Sequence, residues 1–79
     1  MSKTAKLIKE KRHHAKLTQQ ELSILIGCTP AFINRIERGV SFLPPDKISL
    51  FVDALGCSFE LLSYAVKEDA IARFEKKMK

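Results

Sequence analysis

The stretch from Thr18 to Gly39, TQQELSILIGCTPAFINRIERG, leaves the chain few ways to fold. Thr18 and Glu21 have the spacing of a capping box, in which the hydroxyl accepts from the amide three residues on and the carboxylate reaches back. That starts a helix at Gln19. Leu22 and Ile26 stand four apart on one face, and Ser23 beside Leu22 is small enough to let another helix come close. Gly27 fits the position after the helix, where a left-handed backbone costs glycine least. Thr29 then caps a second helix, and Pro30 takes its first position, where no N–H is needed. Ile33 and Ile36 point inward and Gly39 ends it. A helix stopped by glycine, followed after two residues by another, is a helix-turn-helix.

The remaining chain supplies flanking helices. A first helix is expected over about Thr4–Ala15, with Ala5, Ile8 and Arg12 on one side. Arg12 on an apolar side needs a partner, because a buried unpaired charge is costly, and Glu37 is the candidate. His13 and His14 suit the C-terminal end of that helix. After Pro30–Arg38, consecutive prolines make Val40–Pro45 a loop. A fourth helix is expected from Pro45 or Asp46 to Leu55, burying Ile48, Phe51, Val52 and Leu55, with Gly56 as its stop. Ser58 caps a fifth, with Phe59, Leu61, Leu62, Ala65 and Val66 available to close the core. Beyond it the phase changes: Tyr64, Lys67, Ile71, Phe74 and Met78 recur at alternating threes and fours, the spacing of a packing seam. The expected organisation is a domain over residues 1–66 and a C-terminal helix over 67–79.

Seventy-nine residues make one thin core, of a size that often needs a partner chain. The excess positive charge of five lies wholly in the first half. Residues 1–38 hold eight Lys/Arg against three acids, whereas residues 39–79 hold six of each. Such a surplus marks a nucleic-acid face or a solubilising surface. Cys28 and Cys57 are spaced like no zinc motif, so no metal is expected, and each reads as a small apolar residue in a turn. No apolar run would span a bilayer and no leader precedes the first helix, so a cytoplasmic protein with no membrane contact is expected.

These residues together resemble the phage-repressor-like, or Xre-type, helix-turn-helix domains. The resemblance rests on Arg12, Leu17-Thr18-Gln19, Glu21-Leu22, Gly27, Thr29, Ile33, Ile36-Glu37, Gly39 and Ala54-Leu55-Gly56, and covers about residues 6–62. It implies an all-α, compact five-helix lambda-repressor-like domain, here with a C-terminal helical extension. It implies a structural ion pair between Arg12 and Glu37, and a double-stranded DNA partner. Two departures stand out. The family usually has polar residues where Ile24 and Leu25 stand, so these either pack under a loop or form a partner surface. It also often has long polar side chains at the positions of Pro30 and Ala31.

The resemblance places the DNA-facing set at Gln19, Thr29, Pro30, Ala31, Phe32, Asn34, Arg35, Arg38 and Ser41. Gln19 is expected to bond a phosphate and brace the second helix of the motif. Arg35 has forked donors for guanine O6 and N7, and Asn34 can pair with adenine or a phosphate. Pro30 and Ala31 offer only apolar contact, suited to thymine methyls. Phe32 either joins them or lies partly buried against the turn. Arg38 and Ser41 are expected on phosphates, and a share of the readout falls to DNA shape.

The expected function is a sequence-specific transcriptional regulator, repressor or controller, working as a homodimer through Ile71, Phe74 and Met78. No cofactor is expected. An antitoxin with a toxin partner stays open beside it, as does a protein-interaction module that has lost DNA binding. An enzyme is not expected: the sequence shows no nucleophile with a base, no ligand cluster and no phosphate loop.

Overall fold

A computed structural model describes residues 2–78, with side chains through residue 76. Five α-helices pack around one core: α1 (Lys3–His14), α2 (Gln19–Ile26), α3 (Pro30–Glu37), α4 (Ile48–Leu55) and α5 (Phe59–Met78). No strand is present among the described residues.

The local signals act as their chemistry requires. At α2 the Glu21 amide donates to Thr18 Oγ1 over 3.0 Å and the Thr18 amide to Glu21 Oε1 over 2.8 Å, closing the capping box. Gly27 (φ +82°) ends that helix in the left-handed region. The Phe32 amide donates to Thr29 Oγ1 over 3.1 Å, and Pro30 opens α3. α3 stops at Glu37, so Arg38 is its capping residue and not part of its last turn. Pro45–Lys47 forms a single 3₁₀ turn, and α4 proper begins only at Ile48.

α1 ends in a turn that sequence spacing did not disclose. Lys16 takes φ +59°, the Leu17 amide donates to Arg12 O over 3.1 Å, and the Lys16 amide donates to His13 O over 3.0 Å. This is a Schellman closure with a lysine where glycine is usual. A left-handed conformation costs an L-residue about 1–2 kcal/mol, part of which glycine would return as unfolded-state entropy. Lys16→Gly is therefore expected to stabilise the domain by about 0.5–1 kcal/mol. Thermal denaturation checks it: a midpoint at or below the parent's would show that the lysine is not strained there.

The centre of the core is Ile8, Leu22, Ile33, Ile36, Phe51 and Leu62, each almost wholly buried. Ala5, Arg12 and Ile48 are buried on the faces expected for them, and Val52 is only partly covered. Leu43, in the proline loop, is also buried and pins that loop to the core. Phe59 and Leu61 were expected inside but are exposed, because Leu62 and Ala65 carry the buried side of α5. Cys28 and Cys57 are partly buried against the core. Burial pushes both thiols up, with Lys47 opposing it at Cys28, and the Cys57 backbone and Lys11 at Cys57. Neither is therefore disposed to react as a thiolate.

α5 runs unbroken through residue 66, so the expected division falls inside a helix. It lies antiparallel to α1. Asp69 meets the first residues of α1: Ser2 Oγ donates to Asp69 Oδ2 over 2.6 Å, the Lys3 amide to Oδ1 over 2.8 Å and the Thr4 amide to Oδ2 over 2.9 Å. Ser2 Oγ in turn accepts from the Ala5 amide over 3.0 Å. A carboxylate from a distant helix thus caps the N-terminus of α1, where its charge is favoured. Burial acts to raise the Asp69 carboxyl, but the donors from Ser2, Thr4 and Lys3 outweigh it and hold it below the ordinary aspartate range.

Candidate nucleic-acid interface

The arrangement of α2 and α3 is set from behind by one polar cluster. Arg12 Nε donates to Glu37 Oε2 over 2.6 Å and Nη2 to Oε1 over 3.0 Å, a two-pronged ion pair with side chains 10% and 3% exposed. Arg12 Nη1 donates to Leu17 O over 2.8 Å, and Gln19 Nε2 donates to Glu37 Oε1 over 3.2 Å. Arg12 Nη2 also lies 3.1 Å from His13 Nε2. The cluster therefore joins the end of α1, the turn before α2, the start of α2 and the end of α3. A forked guanidinium suits this role because it holds the carboxylate in one plane.

With Ile33 and Ile36 buried, α3 turns its other side outward. Thr29, Pro30, Ala31, Arg35 and Arg38 are exposed, while Asn34 and Ser41 are partly exposed. Phe32 is partly buried and packs against the core, so its ring belongs at least as much to the turn as to the outer face. Gln19 is partly buried, and its Nε2 donates to Glu37 at the end of α3. No internal acceptor is found among the described residues for the amides of Gln19 and Gln20, so α2 opens with free donors and a positive dipole end. The residues expected at the interface thus lie on α2, on α3, at the capping positions Thr29 and Arg38 that flank α3, or in the loop that follows.

From sequence, Lys3, Lys6, Lys9 and Lys16 are weaker phosphate candidates, with solvated surface the favoured reading for each. Lys6 and Lys9 of α1 line a cleft with His13, Arg38 and Gly39, which places these two lysines beside the end of α3. A charge surplus in the first half was readable; which of its lysines face α3 was not. Ile24 and Leu25 are 70% and 60% exposed, so they do not pack under a loop. On α5, Tyr64, Ile71 and Phe74 are 57%, 41% and 63% exposed, on the side away from Leu62 and Ala65. The side chain of Met78 lies outside the described residues. No group of three potential ligands for a metal ion is found among the described residues, and no helix there is long and apolar enough to cross a membrane.

Two short helices joined at a left-handed glycine, the second braced from behind and offering donors in front, define a helix-turn-helix domain. A family model described as Helix-turn-helix matches residues 8–62. The chain belongs to that family, in its Xre type, as a DNA-binding regulator. Searches of curated proteins and of solved structures gave no match.

Proposed function

We propose that the protein is a sequence-specific transcriptional regulator, repressor or controller, that lays α3 in the major groove of double-stranded DNA and acts as a homodimer in the cytoplasm. The observation that carries this reading is the outward placement of Arg35 on a helix whose inner side is fixed by the Arg12–Glu37–Gln19 cluster. A guanidinium carried on a fixed helix can read guanine through two parallel hydrogen bonds, and partly exposed Asn34 lies next to it. Pro30 and Ala31 present only apolar surface, so much of the direct readout rests on this pair. Arg38 and Ser41 serve as phosphate contacts that set the register. The homodimer reading is supported by the exposed apolar stripe of α5 and by the paired half-sites that suit a two-fold protein.

Arg35→Ala is expected to cost about 1–3 kcal/mol on the preferred site and to blur one base step, whereas Arg38→Ala should weaken all sequences alike and lower the salt slope by about one. Equilibrium binding to the preferred duplex and to its single-base variants checks both. Unchanged affinity in Arg35→Ala would remove the recognition-helix assignment.

A second reading is supported by Ile24 and Leu25, whose exposure on α2 suits a protein partner, such as a toxin bound by its antitoxin. A mobility-shift assay on total genomic fragments at two salt concentrations separates the cases. Retention of a subset at the higher salt supports the regulator; no shift at either supports an interaction module alone.

A further inference from the structure

We infer that Arg73 and Lys76, near the far end of α5, bind the DNA backbone beside Ser41, so that the C-terminal helix supplies part of the phosphate-contacting surface. This rests on the regulator reading above and adds residues that the helix-turn-helix itself does not contain.

The Arg73 guanidinium lies over the Phe42 ring, with Cζ 3.5 Å from its centroid. Phe42 belongs to the loop that leaves α3, directly after Ser41. Arg73 and Lys76 line one cleft with Gly39, Ser41 and Phe42. Gly39 lies beside Ser2, where an added Cβ would stand 3.4 Å from the Ser2 Cβ, so the loop runs next to the start of α1. The fold thus returns two cations from the electrically balanced second half of the chain to the edge of the basic interface.

Their charges are available to a ligand. Asp69 lines the same cleft, but its two oxygens are engaged by Ser2, Lys3 and Thr4. Glu68 pairs with Lys3 over 3.4 Å. No carboxylate lies within ion-pair distance of Arg73 or Lys76 among the described residues. Positions 73 and 76 are three apart and share a helix face, from which Glu75 is turned away. Stacking on Phe42 fixes the guanidinium plane while leaving its edge N–H groups free for acceptors, an arrangement suited to a phosphate.

The test uses the full chain and a short mixed-sequence duplex, with affinity followed as salt is raised. Each lost phosphate contact lowers the slope of log affinity against log salt by about 0.9. Arg73→Gln is expected to lower it by about that amount, the double variant Arg73→Gln/Lys76→Gln by about twice as much, and Arg73→Lys to restore it. Lys11→Gln removes the same charge beside Cys57, at the other end of α1, and should leave the slope at the parent value. If Arg73→Gln and the double variant keep the parent slope while Arg38→Ala lowers it, the α5 cations only pack on the loop and the inference is overturned. If the parent itself shows no salt-dependent binding, the regulator reading falls as well. Lys76 is exposed and makes no stacking contact among the described residues, so Lys76→Gln alone keeps the test valid should Arg73→Gln destabilise the loop.

Discussion

Glu37→Ala is expected to destabilise the domain by about 3–5 kcal/mol, the cost of removing one partner from a buried ion pair. A chain of this size has in total about 4–12 kcal/mol, at roughly 0.05–0.15 kcal/mol per residue, so the loss is at least about a quarter of the total and at the low end would unfold the domain. The loss is not that of a single contact. Arg12 would keep its charge with a side chain only 10% exposed, its Nε and Nη2 left without their carboxylate and Gln19 without its acceptor. Desolvation dominates such a site, and it is paid whether or not the charge is paired. For the same reason the double variant Arg12→Met/Glu37→Leu should recover most of the loss, since it removes both charges and keeps the volume. Urea denaturation of the three proteins checks this. A Glu37→Ala midpoint near the parent's would mean that the cluster holds the helices in place without being energetically isolated from water.

Phe74→Asp is expected to leave folding intact and to reduce binding to a two-half-site duplex by about 10²–10⁴-fold, the gain that a second linked site confers. Phe74 is 63% exposed and faces away from the core, so a carboxylate there costs the monomer little. In a seam between two copies the same carboxylate would be buried against apolar surface without a partner. Sedimentation should show the variant as a monomer where the parent is a dimer, with unchanged affinity for a duplex carrying one half-site. A parent that sediments as a monomer at all concentrations, or a variant that binds paired half-sites as tightly as the parent, would show that α5 does not join two copies.

Much of the fold was legible because its signals are local. Thr18, Glu21, Gly27, Thr29 and Pro30 each act within a few residues of themselves, and the structure uses each as its chemistry suggests. Arg12 was legible for a different reason: a charge on an apolar stripe calls for a distant partner, and Glu37 provides it. The α3 surface followed once Ile33 and Ile36 were turned inward. What escaped depends on tertiary position. Phe59 and Leu61 carry the composition of core residues, but the rotation of α5 is set by Leu62, Ala65 and the Asp69 cap, and leaves them outside. Asp69 itself gives no local hint that it closes a helix more than sixty residues upstream. Lys16 in a left-handed turn is likewise invisible to a reading that looks for glycine. The charge count along the chain could not place Arg73 and Lys76 in a cleft with Ser41, because halves of a chain are not faces of a fold.

The central claim is that the outer side of α3 reads base edges. Selection of binding sites from random duplex DNA, run in parallel with the parent and with Arg35→Ala, tests it most directly. The expected result is a pair of inverted half-sites whose centres lie about one helical turn, roughly 10 base pairs, or a multiple of it apart, with one base step losing its preference in the variant. No enrichment by the parent, or the same site recovered at full strength by Arg35→Ala, would contradict it.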